Sequence, residues 1–411
     1  MSIQEREKEK QLLSEMRQEA PRFVAFCVTD ANGAVWKAAY LIAQGRIQQV
    51  WTEQAGSPKV GDIYLGRVVQ NAKNIGASFV ETQGGRFFLP GLYRVGMMLP
   101  VMVETLAYRE KLAKVTAVLA FHTENMVLTE GKEGIAYSQK LTAKEKEGLQ
   151  EFTETEGIRA GLTKMRSGLL LRTKAAQVPA EALRKEFDRL RCQWETVKRR
   201  AAGEQNCVCL AEADALVEKT VLLAAEYADG KWITESEGLY REALAAAERL
   251  GTDAGRLCLH RDDTIGLSAL YGLQKKLRRI LSDSVWLDSG AELVFAETEA
   301  LCVIDVNSAK AQPGKEREEV FLKLNLEAAR EIAYQIVARN LSGIILVDFI
   351  SMRSKESETI LISEMKKLLA GLYPRATVVD ITKLGIMEIS RQRLAGSIRE
   401  RKEILDRTIL L

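Results

Sequence analysis

The sequence predicts a multidomain α/β protein that contains a small β-barrel. Its 411 residues exceed one ordinary domain and suffice for two to four folding units. Four or five short strand patterns with glycines at their ends lie within residues 57–121, as in a small barrel. Residues 281–411 then alternate strand and helix patterns, which favours a sheet with parallel strands covered by helices.

Composition indicates a globular protein, because 46% of the residues are hydrophobic and 28% are charged. No apolar stretch is long enough to span a bilayer, and the charged N-terminus lacks the apolar core of a signal peptide. We therefore expect a cytoplasmic protein without a membrane partner. The net charge of +3 is compatible with a nucleic-acid partner but does not predict one.

Cysteine and histidine content restricts the chemistry. The six cysteines are scattered without a Cys-x-x-Cys pair, and the chain has only two histidines. This content argues against a Cys/His zinc site and against a Ser-His triad. The chemistry must depend on carboxylates, lysines, arginines and bound ions.

Strands are predicted at the N-terminus and in the barrel. The segment 22–51 holds three alternating runs separated by Asn32-Gly33 and Gln44-Gly45, which are turn signals. The runs "GDIYLGRVVQ", "GASFVETQGGRFFLP", "LPVMVETLAY" and "LAKVTAVLAF" then predict a barrel of the OB type.

Aromatic and basic residues occur together in this predicted barrel. Phe79 and Phe88 lie close in sequence among Arg86, Arg94 and Lys111. Aromatic faces among cations suit stacking on unpaired bases and binding of phosphates. Burial of both rings in the barrel core is the alternative that this pattern leaves open.

Helices and one strand are predicted over residues 122–280. "TAKEKEGLQEFTETEG" starts a polar helix, and "SGLLLRTKA" is a strand that ends at Arg172 and Thr173. Apolar residues at helical spacing predict three more helices, in "AEALRKEFDRLRCQWETVKRRA", "GLYREALAAAERLG" and "IGLSALYGLQKKLRRIL".

The C-terminal segment predicts a βαβ order. The strands "LCVIDVN" and "IILVDFI" flank a long amphipathic helix, and a helix, the strand "ATVVDIT" and the helical pattern "GIMEISRQRLAGSIRERKEIL" follow. The strands that carry Asp305 and Asp348 should run parallel, with their C-terminal ends at one edge of the sheet.

The two aspartates predict a metal site. Like charges held close raise each other's pKa unless a cation lies between them, and Mg²⁺ suits two carboxylates plus water. Asn307 can support the pair from the same strand face. Magnesium at such a pair suits hydrolytic cleavage of a phosphodiester. The alternative is that each aspartate merely caps the following turn.

Three motifs resemble one known family. "VIDVNSAKA", "NLEAAREIAYQIVARNLSGIILVDFISM" and "KLGIMEISRQRL" closely resemble the catalytic core of the ribonuclease E/G family, and the resemblance runs from about residue 22 to 397. The runs "GDIYLGRVV", "GASFV" and "RFFLP" look like the family's inserted OB-fold RNA-binding domain.

The resemblance implies a domain order. A charged N-terminal extension (1–21) precedes a ribonuclease-H-like scaffold built from 22–56 plus 215–280. Inserted into that scaffold are the OB-fold domain (57–121) and a 5′-sensor region (122–214). A DNase-I-like α/β catalytic subdomain follows (281–411).

The resemblance also implies roles for individual residues. Asp305 and Asp348 correspond to catalytic aspartates that hold Mg²⁺, and Asn307 corresponds to their supporting asparagine. The RNA-contacting residues of the barrel correspond to Phe79, Phe88 and Lys111.

The 5′-sensor pocket matches the family in part. Arg172 and Thr173 correspond to its 5′-phosphate-binding pair. A second arginine and a glycine of that pocket fall on Tyr137 and Thr123, so we expect weakened sensing of the 5′ end.

Family members commonly continue into a Cys-Pro-x-Cys zinc link that builds a tetramer, whereas this sequence ends at Leu411. We therefore expect no zinc-bridged tetramer, and a homodimer or a monomer stays open.

The activity implied is that of a magnesium-dependent endoribonuclease. It would cut single-stranded RNA to leave 5′-phosphate ends, in RNA processing and decay. The alternatives are a non-catalytic RNA-binding member of the family and a metal-dependent phosphoesterase acting on DNA or nucleotides.

Overall fold

The computed structural model describes residues 20–107, 111–123, 125–262, 264–298, 300–308, 317–370, 372 and 374–410. Nearly all of the predicted N-terminal charged extension lies outside these residues. The chain divides into two compact units, Pro58–Ala213 and the remainder of the chain. Within the described residues, no helix combines the length and apolar character needed to cross a membrane.

The N-terminal residues form an antiparallel meander, as predicted. Its strands are β1 (Arg22–Thr29), β2 (Val35–Ala43) and β3 (Arg46–Gln54). Gln44 and Gly45 both adopt positive φ, 52° and 68°, as the two central residues of a tight hairpin turn do. The turn signals therefore mark the ends of the strands correctly.

The unit Pro58–Ala213 begins with the predicted barrel. Its strands are β4 (Ile63–Ala72), β5 (Ala77–Thr82), β6 (Gly85–Pro90), β7 (Met98–Thr105) and β8 (Lys114–Thr116). The order β4-β5-β6-β8-β7 is closed by pairing of β4 with β7. The run "LAKVTAVLAF" differs from the prediction, since Lys114–Thr116 joins the barrel whereas its last residues begin a strand of a different sheet.

A second sheet, three α-helices and one further strand complete this unit. They are β9 (Ala120–His122), β10 (Met126–Glu130), β11 (Gly134–Tyr137), α1 (Ala143–Thr155), α2 (Ile158–Met165), β12 (Ser167–Leu171), α3 (Ala180–Gly203) and β13 (Cys209–Ala211). The sheet order is β11-β12-β10-β9, and β13 pairs with β4. A capping box between Thr142 and Glu145 starts α1, and α3 buries Leu183, Phe187 and Leu190 as its periodicity predicts.

The other unit contains two sheets, and the meander belongs to the first. Its further elements are α4 (Leu216–Glu226), β14 (Lys231–Thr234), α5 (Glu237–Leu250), β15 (Leu257–Leu259), α6 (Leu267–Leu270) and α7 (Leu273–Leu281). The order is β15-β14-β1-β2-β3, with β14 parallel to both β1 and β15. The pattern "IGLSALYGLQKKLRRIL" forms two helices, because Gly272 between them adopts a left-handed φ of 55°.

The second sheet carries both aspartates. Its elements are β16 (Ser284–Trp286), β17 (Ala291–Glu297), β18 (Leu301–Ser308), α8 (Arg317–Ala338), β19 (Gly343–Asp348), α9 (Lys355–Leu369), β20 (Ala376–Ile381), β21 (Ile386–Arg391) and α10 (Lys402–Ile409). The order is β16-β17-β18-β19-β21-β20, and β18 and β19 are parallel, as predicted. One face of this sheet packs on α8 and α9 around Ile304, Ile332, Val347 and Leu361.

The helix predicted for "GIMEISRQRLAGSIRERKEIL" is wrong over its first part. Residues Ile386–Arg391 form β21, antiparallel to both β19 and β20 and inserted between them. Met387, Ile389 and Arg391 are buried in alternation, which is the period of a strand. Helix occurs only later, at Lys402–Ile409.

The buried end of β21 holds the end of α8. Arg391 is 2% exposed, and its guanidinium donates to the Leu341 carbonyl at 2.7 Å and to Asn340 Oδ1 at 3.0 Å. Burial lowers the pKa of Arg391 to about 10, so the side chain is still charged at neutral pH. A cation at the C-terminal end of a helix is favourable, and this one connects α8 to the sheet.

Replacement by alanine should have opposite effects on stability at two glycines of the Pro58–Ala213 unit. A Cβ at Gly168 on β12 would lie 1.6 Å from the Lys132 carbonyl oxygen, whereas a Cβ at Gly148 within α1 would meet nothing within 4 Å. Gly168→Ala should destabilise the protein by roughly 3 kcal/mol or more. Gly148→Ala should stabilise it by about 0.5–1 kcal/mol through helix propensity. Urea unfolding followed by circular dichroism measures both, and equal midpoints for the two variants would contradict the packing around β12.

Candidate active site

Asp305 and Asp348 are direct partners on two adjacent parallel strands. In the register of β18 and β19, the pair Ile304–Val347 is followed by Asp305–Asp348. Paired residues of neighbouring strands project to the same face, and the strands lie about 4.8 Å apart. The two carboxylates therefore stand side by side on the face opposite α8 and α9. Asp348 is exposed and Asp305 is half-buried.

Alternation along β18 explains why its carboxylate faces outward. Cys302, Ile304 and Val306 are buried in the core, while the residues between them face the other side. A register shift of one residue would move the apolar set into water and the aspartate into the core. The hydrophobic core of this sheet thus fixes the direction of the carboxylates.

Asn307 belongs to the same cluster. Its side-chain Nδ2 donates to Asp305 Oδ2 at 2.8 Å, because residues two apart on a strand share a face. This bond orients one carboxylate of the pair. The structure therefore brings together all three residues that the sequence predicts for the catalytic centre.

The chain after Asp348 is held by α8, which the sequence reasoning did not identify. The side chain of Asn325 is fully buried, donates to the Ile350 carbonyl at 2.8 Å and accepts from the Ile350 N–H at 3.1 Å. Glu318 accepts from the N–H groups of Ser354 and Arg353, and these bonds lower the pKa of Glu318. No pattern within its own segment reveals Asn325, because its hydrogen-bond partners belong to the chain after β19.

The donor set fits Mg²⁺. Two carboxylates at the surface, one of them oriented by an amide, leave room for water ligands, which magnesium usually retains. In the described residues, no group of three or more His, Cys, Asp or Glu side chains is placed to hold a metal ion. A site enclosed wholly by such side chains is therefore not present in that part of the chain.

Phe79 and Phe88 form an aromatic pair on the outside of the barrel. They are partners across β5 and β6, with ring centroids 6.3 Å apart and an interplanar angle of 71°. Both are half-buried and neither belongs to the barrel core, which contains Val80, Phe87 and Leu89. The core alternative is therefore excluded for these two rings.

Two basic residues lie beside this aromatic pair. The Arg86 guanidinium carbon lies 4.9 Å from the centroid of the Phe79 ring, and Lys114 is the partner of Phe88 in the strand register. The predicted Lys111 is exposed and lies three residues before Lys114. Sequence reasoning missed Lys114, whose ammonium forms an ion pair with Glu104 at 2.7 Å. Strand pairing was the missing information.

The predicted 5′-phosphate pair lies at the end of β12. Arg172 is exposed, and its guanidinium donates to Nδ1 of His122 at 3.5 Å. Thr173 shares a hydrogen bond of 3.0 Å with the Ser138 hydroxyl. Desolvation lowers the pKa of His122 below its usual value, and the charge of Arg172 lowers it further. His122 is therefore neutral at pH 7.

Tyr137 and Thr123, the two residues that depart from the family pattern, form hydrogen bonds within the protein. The Tyr137 hydroxyl lies 3.3 Å from Oγ1 of Thr153. The Thr123 hydroxyl accepts from the Met126 N–H at 3.1 Å and helps to shape the turn between β9 and β10. Neither side chain supplies a positive charge to this region.

Comparison with known proteins agrees with these features. A sequence model of the ribonuclease E/G family matches residues 120–394. Ribonuclease E of Nostoc sp. is 28% identical over 385 residues, which are 88% of this chain and 55% of that protein. The chloroplastic ribonuclease E/G-like protein of Arabidopsis thaliana is 31% identical over 64% of this chain and 27% of its own length. Ribonuclease G of Salmonella typhimurium is 23% identical over 88% of this chain and 78% of its own.

The chain spans about half the length of the ribonuclease E proteins of Nostoc and Synechocystis, 55% and 54%. The family match includes both aspartates, Asn307 and the Arg172–Thr173 pair. With the match extending over most of the sequence, the chain belongs to the ribonuclease E/G family.

Proposed function

We propose that this chain is a magnesium-dependent endoribonuclease that hydrolyses single-stranded RNA, leaves 5′-phosphate ends and acts in RNA processing and decay. The observation that carries the proposal is the Asp305–Asp348 register with Asn307 hydrogen-bonded to Asp305. The relatives named ribonuclease E support the same activity.

The chemistry follows from the residues at the sheet surface. Asp305 and Asp348 would hold Mg²⁺, which when bound supplies a Lewis acid and a water of lowered pKa beside the phosphate. Asn307 keeps the Asp305 carboxylate oriented for this role. The chain's two histidines, His122 and His260, lie outside this sheet, so its strands supply carboxylates and an amide but no imidazole. Attack by water at phosphorus breaks the bond to the 3′ oxygen and leaves the phosphate on the 5′ end.

Single-stranded RNA is the proposed substrate because of the barrel surface. Phe79 and Phe88 present partly exposed rings beside Arg86 and Lys114, and Lys111 is exposed nearby along the chain. Stacking on such rings needs unpaired bases, and the cations suit the phosphates.

Finer features of the fold are also proposed. The first sheet has the order β3-β2-β1-β14-β15, with an antiparallel meander followed by two parallel strands. This order supports a ribonuclease-H-like scaffold. The six-stranded mixed sheet with helices on one face supports a DNase-I-like catalytic subdomain. The adjacent Arg172 and Thr173, directly after the end of β12, support a 5′-phosphate site.

Removal of either aspartate should abolish cleavage. We expect Asp305→Asn and Asp348→Asn to lower kcat by at least about 10³-fold, since a metal-binding carboxylate stabilises the transition state. Asp380→Asn, on the same sheet, is the matched control and should leave kcat unchanged. A fluorescent single-stranded oligoribonucleotide, followed with magnesium and with EDTA, measures the rates.

Two further results of this assay test the proposal. Both aspartate variants should still bind the oligonucleotide in fluorescence anisotropy, which separates lost chemistry from lost folding. Cleavage by the purified variants, or wild-type activity in EDTA, would refute the metal site. Products ending in a 2′,3′-cyclic phosphate would refute water as the nucleophile.

The aromatic pair predicts a loss of RNA affinity. Stacking contributes about 1–3 kcal/mol per base, so Phe79→Ala and Phe88→Ala should each weaken binding by roughly 5- to 150-fold. Ile75, 60% exposed on the same barrel, supplies the control Ile75→Ala. Anisotropy titrations with RNA and DNA of one sequence measure the effect. Equal affinity of all three variants, or equal competition by DNA, would contradict an RNA-binding role of this face.

The sensor residues predict a difference between substrates. Arg172→Ala should reduce cleavage of a 5′-monophosphorylated oligonucleotide to the rate of its 5′-hydroxyl counterpart, which the substitution leaves unchanged. Arg184→Ala is a control, because Arg184 bonds to Asp188 and Glu156 on the same unit. A wild-type enzyme that cuts both substrates equally fast would show that this site does not sense the 5′ end.

A further inference from the structure

A tryptophan and a glutamate extend the row of side chains that contains Asn307. Across β16, β17 and β18 the register pairs Trp286 with Glu292 and Glu292 with Asn307. Paired residues share a face of the sheet, so Trp286 and Glu292 lie on the same face as the two aspartates. Two strand spacings separate Trp286 from Asn307, which is about 10 Å.

Trp286 is exposed where its neighbours are buried. Its side chain is 58% exposed, whereas Val285 before it and Leu293 on the partner strand lie in the core at 3% and 0%. Packing of this hairpin therefore depends on the opposite face. A large exposed indole on the same face as a candidate active site is well placed to contact a ligand.

Hydrogen bonds order the backbone on both sides of Trp286. The Leu287 N–H donates to the Ala291 carbonyl at 2.8 Å, and the Phe295 N–H donates to the Asp283 carbonyl at 2.7 Å. These bonds lie on either side of the Trp286–Glu292 pair. An aromatic side chain with two torsions on an ordered strand loses little entropy when a flat ring stacks on it.

Glu292 adds hydrogen-bonding capacity beside the ring. It is half-buried, and its carboxylate can only accept hydrogen bonds when ionised. Adenine, cytosine and guanine carry exocyclic amino donors, whereas uracil carries none. A carboxylate beside a stacking platform therefore favours an amino-bearing base.

We propose that Trp286 and Glu292 form a nucleobase subsite adjacent to the scissile phosphate, in which the indole stacks on an unpaired base and the carboxylate accepts from its amino group. This subsite rests on the proposed endoribonuclease function and determines which nucleotide occupies a position near the cut. The distance of about 10 Å between Trp286 and Asn307 is one that a nucleotide next to the scissile phosphate can span.

The test places 2-aminopurine, a fluorescent adenine analogue, at successive positions along a single-stranded oligoribonucleotide. Binding is measured with Asp305→Asn as the background, so that the RNA stays intact. At one position, stacking on Trp286 should quench the fluorescence. Trp286→Ala should remove the quenching and weaken binding by about tenfold. Trp286→Phe should retain most of the affinity.

Two substitutions supply the specificity arm and the control. Glu292→Gln should reduce by several-fold the preference of the intact enzyme for adenine over uracil at that position, because an amide also donates. Val379→Ala is the matched control, since Val379 is 60% exposed on β20 at the other edge of the sheet. It should leave binding and preference unchanged.

The outcomes separate this proposal from the one on which it rests. Cleavage that proceeds normally while Trp286→Ala retains both quenching and affinity would overturn the subsite alone. Position-specific quenching lost in Trp286→Ala supports the subsite even if the protein cuts no RNA. Equal losses in Trp286→Ala and Val379→Ala would assign the effect to the sheet as a whole and overturn it.

Discussion

The parallel register of β18 and β19 is the constraint on which the candidate active site depends. It places Asp305 opposite Asp348 at the ends of two strands that are otherwise apolar. Two carboxylates about 5 Å apart repel each other. The register persists because Ile304, Val306 and Val347 are buried on the other face, where slippage would expose them. Core packing thereby compensates for an unfavourable pair of charges.

Helix α8 transmits this constraint to the rest of its unit. Glu318 and Asn325 on this helix hold the chain that follows Asp348, and Arg391 holds the chain just after its last turn. On the helix face toward the meander, Glu331 accepts two hydrogen bonds from the Arg46 guanidinium, at 2.9 and 2.6 Å. A bidentate pair of this kind fixes orientation as well as distance. The helix that covers the sheet of the candidate active site is therefore also fixed to the neighbouring sheet.

Sequence reasoning succeeded where the local residue pattern of a segment determines its secondary structure. Alternation along β18, the turn at Gln44-Gly45 and the buried side of α3 follow from local periodicity. It failed at β21, where charged residues in "EISRQR" conceal the strand period because Arg391 is buried through hydrogen bonds rather than by apolarity. Lys114 and Asn325 were missed for a related reason. Their surroundings come from other elements, so no pattern within their own segment reveals them.

The region proposed to bind a 5′ phosphate offers that ligand little positive charge. With Tyr137 and Thr123 bonded to the protein's own groups, and with His122 accepting from Arg172, the pair Arg172–Thr173 supplies one guanidinium and one hydroxyl. The lowered pKa of His122 keeps its ring neutral at pH 7. Protonation at acidic pH would turn this acceptor into a donor and end the bond that orients Arg172. A second cation is therefore gained only at a pH where Arg172 loses this hydrogen bond, so we expect the proposed site to discriminate a 5′-phosphate less strongly than two arginines would.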